Sequence, residues 1–255
     1  MRKSSLAIAV LASMQLIGTG VAHAQEESPF SANVSLTSDY AYRGISQTDE
    51  GPALQGGFDF KHSSGFYLGT WGSSISWLRD VEHAARKEDS TFSSSSGSSL
   101  ELDFYGGYSK EFGDFGLDVG LLQYYYPGSY SSAWKAGTGL KNPNTLEGYV
   151  GLSWKFLSFK YSHAFTDLFG APDSKGSQYF DLSASYEVAD GISLDGHYGH
   201  QMITGPGKSY YDWKLGVTAS YWGVDFGLHY VDTDISHKDS VDADARYIFS
   251  VTKSF

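Results

Sequence analysis

The feature that most constrains this chain is an alternation of apolar and polar residues that begins near residue 31 and continues to the last residue. Leu100, Leu102 and Phe104, for example, alternate with Glu101 and Asp103. Side chains two residues apart on a β-strand lie on the same face, so each such segment is predicted to be a strand with one apolar and one polar face. Twelve segments show this pattern, each close to or slightly above the roughly 9–11 residues that a tilted strand needs to cross a bilayer. They lie near residues 31–43, 53–62, 66–77, 99–111, 115–126, 145–156, 158–168, 177–188, 192–201, 210–221, 224–233 and 242–255.

The connections between these segments alternate in length. Tight links, such as 113–114 and 189–191, follow every second strand, whereas longer polar links follow the others, and 78–98 and 127–144 are the longest. Short turns on one side and long loops on the other are typical of outer-membrane barrels. The sequence therefore predicts an all-β fold, a single antiparallel transmembrane β-barrel of about 12 strands with short periplasmic turns and longer extracellular loops. The alternative is a large soluble β-protein whose apolar face forms a core.

The N-terminus has the pattern of a secretory signal peptide. Arg2 and Lys3 precede a mostly apolar stretch over 6–21, and Ala22-His23-Ala24 forms a cleavage site. We therefore predict a signal peptide over 1–24 and a barrel domain over 25–255, located in the outer membrane of a Gram-negative bacterium with both termini periplasmic. A short N-terminal membrane anchor is the alternative, although the apolar stretch falls short of the about 20 residues that a span requires.

Composition excludes several classes of site. The chain contains no Cys, so disulfides, thiolate metal ligands and a cysteine nucleophile are impossible. The formal net charge of −11 argues against nucleic acid as a partner. His197 and His200 are three residues apart, which places them on opposite faces of a strand, so they cannot chelate one metal ion. No cofactor and no metal site is predicted.

The last strand carries a pattern that resembles the C-terminal assembly signal of outer-membrane proteins. Tyr247, Phe249, Val251 and Phe255 lie on one face, and the sequence ends on the aromatic residue. Lys253 departs from this pattern, because an apolar residue is usual there. The resemblance implies recognition by the barrel assembly machinery and contact with outer-membrane lipid.

Four stretches are similar to the TorF family, proteobacterial proteins named as porins and long of unknown function. The stretches are 38–48 (SDYAYRGISQT), 52–56 (PALQG), 65–71 (GFYLGTW) and 101–108 (ELDFYGGY). The resemblance implies an outer-membrane barrel that conducts small solutes, and it supplies no catalytic residues. The serine-rich segment before Leu100 is longer than the usual link of the family.

The polar face of the strands supplies the candidate functional residues. Acids outnumber bases on this face, and rings of carboxylates favour cations in a pore. The alternative is that these charges pair across strands and fill a closed interior. Within the set, Asp39, Arg43, Asp59, Glu101 and Asp103 are the candidates for the constriction. The predicted pore-lining residues are Asp39, Arg43, Asp59, Lys61, Glu101, Asp103, Asp118, Glu147, Lys155, Lys160, Asp181, Asp195, Lys214, Asp244 and Arg246.

These patterns favour a porin-like channel for passive diffusion of small hydrophilic solutes, leaning toward cations. A structural or adhesive barrel with a plugged lumen and binding loops is the second hypothesis. An outer-membrane hydrolase is the third, but no G-x-S-x-G motif is present and we predict no enzyme. Glycines inside the strands are expected to accommodate large neighbours, among them Tyr67, Tyr105, Tyr124 and Tyr149. The oligomeric state stays open.

Overall fold

The structure of the protein, a computed structural model, describes residues 28–90, 92 and 97–255. The predicted signal peptide and its cleavage site lie outside the described residues. So does most of the serine-rich segment before Leu100.

Twelve long strands form a closed antiparallel barrel, which confirms the predicted fold class. Each long strand pairs with its neighbours in the chain, and the last strand pairs with the first. Two short strands, β2 and β3, form a separate ribbon. The strands are β1 (Phe30–Thr37), β2 (Ala41–Tyr42), β3 (Ile45–Ser46), β4 (Ala53–Lys61), β5 (Phe66–Ser74), β6 (Leu100–Phe112), β7 (Phe115–Tyr125), β8 (Thr145–Trp154), β9 (Leu157–Ala164), β10 (Gln178–Ala189), β11 (Ile192–Met202), β12 (Tyr210–Tyr221), β13 (Val224–Thr233) and β14 (Arg246–Ser254).

The barrel closes between its first and last strands. In this pairing Leu36 faces Val251 and Asn33 faces Ser254. The ladder continues one residue past β14, where the Phe255 N–H donates to the Ala32 carbonyl over 2.9 Å. Closure leaves no row of unpaired backbone groups along the described strands of the barrel, as a lipid environment requires.

The two faces of the wall have opposite chemistry. Outward side chains are apolar and exposed, as at Leu68 and Leu215, the second of which is 67% exposed. Inward side chains are polar or tyrosine and largely buried, as at Glu101, which is 1% exposed. A soluble protein has the reverse arrangement, whereas apolar residues outside and polar residues inside are characteristic of a membrane barrel.

The two ends of the barrel differ in the length of their connections, as predicted. At the short-turn end, glycines with positive φ reverse the chain, among them Gly113 at φ 66° and Gly223 at φ 68°. In the described ranges, the long-loop end carries two helices, two 3₁₀ turns and the β2–β3 ribbon. The helices are α1 (Trp77–Glu88) and α2 (Ser132–Thr138), and the 3₁₀ turns are Leu168–Gly170 and Val241–Ala243. Among the described residues, no helix is both long and apolar enough to cross a membrane.

Four strands end markedly earlier or start markedly later than the alternation predicts. The seventh predicted strand, 158–168, ends at Ala164. The third predicted strand, 66–77, ends at Ser74 because α1 begins at Trp77. The last, 242–255, begins at Arg246 because the preceding residues form a 3₁₀ turn.

The first predicted strand, 31–43, is the most informative case, because β1 ends at Thr37. The chain then leaves the wall and returns at Ala53, which pairs directly with Thr37. Between them Arg43 (φ 47°) and Gly44 (φ 82°) form the tip of the β2–β3 ribbon. Positive φ at two successive central residues gives the tight turn that suits a hairpin.

Candidate functional site: a hairpin folded into the lumen

Residues 38–52, called the inner hairpin from here on, fold into the lumen of the barrel and contact its inner wall. On one side, the Tyr40 hydroxyl donates to Glu101 Oε1 of β6 over 2.7 Å. The Tyr42 hydroxyl forms a hydrogen bond of 2.9 Å with the hydroxyl of Tyr124, which lies on β7. These contacts attach one side of the inner hairpin to β6 and β7. Neither strand pairs with β1 or β4, the two strands that the hairpin connects.

The tip of the inner hairpin contacts the wall opposite β6 and β7, at strands β12 to β14. The Gly44 carbonyl accepts a hydrogen bond from Arg246 Nη2 of β14 over 3.1 Å. A Cβ added to Gly44 would lie 2.7 Å from the Asp212 Cβ of β12 and even closer to a methyl group of Thr233. Only glycine fits this close approach at positive φ. The inner hairpin therefore crosses the lumen.

Arg43 is the residue that the hairpin tip presents to the wall. One nitrogen, Nη2, donates to both oxygens of Glu147, over 2.9 and 2.7 Å, and Nη1 donates to Gln201 Oε1 over 2.6 Å. The guanidinium carbon lies 4.3 Å from the ring centroid of Tyr179 and 4.8 Å from that of Tyr42. Arg43 is 8% exposed and Glu147 2%, so this ion pair is shielded from water.

A second buried ion pair fixes the base of the inner hairpin. Arg246 Nε of β14 donates to Asp39 Oδ2. The other carboxylate oxygen, Asp39 Oδ1, accepts hydrogen bonds from Ser46 and from Thr48 of the returning chain, the latter over 3.0 Å. Asp39 thus joins both ends of the hairpin to the wall.

Two further carboxylates lie beside the inner hairpin. Glu101 accepts from Tyr40 and, through Oε2, from the Tyr126 hydroxyl over 2.7 Å. Burial, reinforced by the negative charge of Glu101, holds the pKa of Tyr40 and of Tyr126 well above the usual value, so both hydroxyls remain protonated donors. Asp103 is 6% exposed, and its Oδ1 has no hydrogen-bond partner. Asp103 is therefore less well supplied with hydrogen-bond partners than Glu101.

Two histidines of the inner wall are paired with acids. His197 lies between Asp181, 3.2 Å from Nδ1, and Asp212, 2.7 Å from Nε2. His229 Nε2 is 3.2 Å from Asp195. In the described part of the chain, no three side chains of His, Cys, Asp or Glu are grouped so that they could hold a metal ion. These contacts are hydrogen bonds within the lumen.

Comparison with known proteins places the chain in a family. A family model described as "Bacterial protein of unknown function (Gcw_chp)" matches residues 22–255. The chain belongs to this family. No curated protein matches the sequence.

Solved structures resemble this Gcw_chp barrel in fold. The KdgM porin aligns with a TM-score of 0.54 at 11% identity, covering 88% of this chain and 99% of that chain. The structure titled "KdgM porin in complex with disordered oligogalacturonate" aligns with a TM-score of 0.52 at 10% identity, covering 89% and 98%. The NanC porin aligns with a TM-score of 0.50 at 11% identity, covering 87% and 97%. At these identities the likeness shows a shared porin-type barrel.

Most of the predicted pore-lining residues of this Gcw_chp member lie on the inner face of the wall. Lys61 is exposed at the short-turn end of β4, and Asp39 and Arg43 belong to the inner hairpin instead of the wall. The inner-wall residues are Asp59, Lys61, Glu101, Asp103, Asp118, Glu147, Lys160, Asp181, Asp195, Lys214 and Arg246.

Two residues do not lie where the alternation puts them. Lys155 has φ 55° and forms the turn after β8, with its ammonium group 5.0 Å from the Trp154 ring centroid, because the strand ends one residue earlier. Asp244 follows the 3₁₀ turn and contacts His237 at the long-loop end, because β14 begins only at Arg246. Neither side chain lines the wall of the lumen.

Sequence reasoning missed several residues of this site, among them Gln201, Tyr179 and Tyr126. Gln201 and Tyr179 contact the inner hairpin only because strands far apart in the chain meet across the lumen, and alternation carries no information on such contacts. The available signal was local, since Arg43-Gly44 follows two tyrosines inside the family-like stretch 38–48.

An apolar groove lies on the outer face of this Gcw_chp barrel, away from the inner hairpin. It has a volume of about 810 Å³, and Gly106 and Gly148 form part of its floor between Leu68, Leu121 and Tyr161. Because this groove opens toward the lipid-facing surface, it is not a site for a hydrophilic solute.

Proposed function

We propose that the protein is an outer-membrane channel of the porin type, which lets small hydrophilic solutes diffuse passively and whose constriction is formed by the inner hairpin. The observation that carries this proposal is a closed barrel whose lumen is crossed by a hairpin that is not part of the wall. The wall is complete without that hairpin, since Thr37 and Ala53 pair directly. The fold shared with the KdgM and NanC porins and the resemblance of 38–48 to the TorF family support the same conclusion.

We place the short-turn end and both barrel termini in the periplasm and the long-loop end outside the cell. This orientation follows the usual asymmetry of bacterial outer-membrane barrels. It requires secretion through the N-terminal segment and insertion by the barrel assembly machinery, for which Tyr247, Phe249, Val251 and Phe255 are the proposed signal.

The charges of the lumen favour cations as the transported class. Asp59, Asp103 and Asp118 lie on the inner face, and Asp103 retains an oxygen without a hydrogen-bond partner. Carboxylates that line a constriction attract cations and exclude anions. One of the structures with the same fold, a KdgM porin, holds an oligogalacturonate, whose sugar units carry carboxylates. We therefore expect the charge preference of this channel to differ from that of the KdgM porin.

Single-channel recording of residues 25–255 in a planar bilayer tests the proposal. We expect stable conductance steps and, under a salt gradient, a reversal potential that indicates cation preference. The double substitution Glu101→Gln with Asp103→Asn should move the reversal potential toward zero. The exposed turn acids supply a control, because Asp114→Asn with Asp190→Asn removes the same charge outside the lumen and should leave the reversal potential unchanged.

The burial of Arg43 and Glu147 favours a second candidate, a plugged barrel that serves through its outer loops. The two candidates differ in what removal of the inner hairpin does. A channel gains conductance when the hairpin is removed, whereas folded and inserted protein that stays silent with and without the hairpin would replace the channel by the plugged barrel.

A further inference from the structure

We infer that the inner wall carries a binding site for a guanidinium-type organic cation, and that Arg43 occupies this site as a tethered ligand. The inference rests on the proposed function, because it names the class of solute that the channel would bind. Three wall residues form the site: Glu147 of β8, Tyr179 of β10 and Gln201 of β11.

The three groups match the chemistry of a planar cation. A carboxylate, an amide oxygen and an aromatic face converge on one guanidinium, with Glu147 and Gln201 accepting in its plane and Tyr179 lying 4.3 Å from its carbon. Guanidinium groups prefer this combination of in-plane acceptors and ring contact, whereas a compact ammonium or alkali ion cannot use all three. The site is therefore selective for shape as well as for charge.

All three groups belong to the wall, so the site persists when the hairpin tip moves away. Glu147 is 2% exposed while Arg43 is in place. A buried carboxylate that loses the cation bonded to it is disfavoured, although Lys160 also interacts with Glu147 electrostatically. Departure of Arg43 therefore leaves a preformed acceptor set that a soluble cation can fill.

Arg43 itself is held in a conformation that costs free energy. Its φ of 47° is a left-handed value that is uncommon for residues with a side chain. Its Nε is buried and has no hydrogen-bond partner. A free cation that makes the same contacts has no backbone to hold in this conformation, and this difference favours exchange of the tethered ligand for a solute.

Exchange at this site links recognition to opening of the lumen. Arg43 is the residue at the tip, and its guanidinium supplies the contacts of the inner hairpin to β8, β10 and β11. A solute that takes its place releases the tip from that side of the wall. The site thus acts as a selectivity element whose occupant is either the chain or the solute.

Chemical rescue of Arg43→Ala tests the site. We expect Arg43→Ala to lower the thermal unfolding temperature of the folded barrel, and millimolar methylguanidinium to raise it again, whereas equal concentrations of sodium or tetramethylammonium do not. Adding Glu147→Gln should abolish the rescue. Adding Asp118→Asn, which removes another inward carboxylate outside the site, should leave the rescue intact.

Two further measurements decide the remaining outcomes. Arg43→Gln, which retains part of the side chain, should show the same rescue. Wild-type protein needs no variant to fold, and methylguanidinium should raise its single-channel conductance more than sodium at equal ionic strength. The inference is overturned if neither Arg43 variant shows a methylguanidinium-specific shift in unfolding temperature. If neither variant folds, it is overturned by a wild-type conductance that methylguanidinium leaves unchanged.

The thermal shift does not depend on conduction, so the two proposals fail separately. A specific shift in a protein that never conducts would keep the cation site and remove the channel. Conductance without any specific shift would keep the channel and remove the site.

Discussion

Tyrosines on the inner face lie over glycines of neighbouring strands. A Cβ added to Gly199 would lie 2.7 Å from the Tyr179 ring, and one added to Gly120 would lie 2.6 Å from the Tyr149 ring. The expectation from sequence holds for three of its four tyrosines: Tyr67, Tyr105 and Tyr149 cover Gly107, Gly69 and Gly120. Tyr124 instead packs edge-on against Tyr42 and Phe169. Its partners come from two long connections, whose inward folding alternation does not report.

This packing predicts the effect of adding a methyl group on each face of one strand. Gly199→Ala should destabilise the barrel by about 1–3 kcal/mol, because the ring of Tyr179 has no room to yield. Gly196→Ala is the control, since nothing lies within 4 Å of its added Cβ and alanine favours the folded chain. Urea unfolding from lipid vesicles, followed by tryptophan fluorescence, measures the difference, and equal midpoints for the two variants would contradict this packing argument.

Outside the strands, an ion pair between two long connections gives a pH dependence of known sign. The hydrogen bond from Lys141 Nζ to Asp167, 2.6 Å long, holds the pKa of the Asp167 carboxyl below its usual value. A carboxyl with a depressed folded pKa stabilises the fold above its unfolded pKa, which is about 4, and this contribution is lost as the pH falls through the folded pKa. We therefore expect wild type to be more stable than Asp167→Asn at neutral pH, with the difference vanishing in acid.

Thermal unfolding of both proteins between neutral and acidic pH measures that difference. Asp190→Asn, in a short turn at the other end of the barrel, is the control for the loss of a surface charge. A difference that persists below the folded pKa would mean that the Lys141–Asp167 contact is not its source.

The inner hairpin shows what a periodic pattern can and cannot predict at the scale of elements. Strand periodicity pauses only at Ser38 within 31–43, because Tyr40 and Tyr42 resume the same phase after the chain has left the wall. The tertiary contacts that draw the segment inward, such as Arg43 to Glu147, join residues far apart in the chain. Wall strands were thus predictable from local pattern, whereas a segment with the same pattern inside the barrel was not.

The register of the wall defines a replacement that removes the inner hairpin and keeps the pairing of β1 with β4. Because Thr37 faces Ala53, an Asn-Gly turn can replace 38–52 and join β1 to β4 as a tight hairpin. We expect single-channel conductance to rise several-fold, while the protein loses stability together with the buried ion pairs.

Replacing 203–208 by the same turn is the control, because it shortens a connection at the same end. This replacement joins Met202 to Ser209 and keeps the register in which Gln201 pairs with Tyr210, so it should leave conductance unchanged. Equal conductance of the two deletions would contradict a constriction formed by the inner hairpin.

For the whole molecule, twelve alternating segments and their unequal links were sufficient to predict the closed barrel. Closure itself depends on the pairing of β1 with β14, between the two ends of the barrel domain. The ends of the strands were less predictable, because helix α1 and the turn before β14 interrupt the alternation through local backbone preferences. The pairing of His197 with Asp181 and Asp212 was not predictable, since it depends on the register of three strands.

The proposed assembly signal at the end of β14 predicts a defect in assembly when Phe255 is changed. Phe255→Ser should reduce the amount of barrel inserted in the outer membrane, because it removes the terminal aromatic residue of the proposed signal. Phe112→Ser alters an exposed outward aromatic residue at the same end of the barrel and is the matched control. Heat-modifiable mobility of membrane fractions on gels measures inserted barrel, and equal losses in both variants would indicate a general effect of lost lipid contact.

Because Thr37 pairs directly with Ala53, the segment between them can be exchanged without changing the strands of the wall. Its two ends are held at the spacing of adjacent strands whatever lies between, so a longer or different insert adds little to the entropy of closing the loop. Substitutions within 38–52 can alter what passes through the lumen while the registers of the wall stay fixed. Among relatives, permeability can consequently diverge at a different rate from the architecture of the barrel. Chimeras that exchange only this segment can carry the solute preference of one relative into the barrel of another.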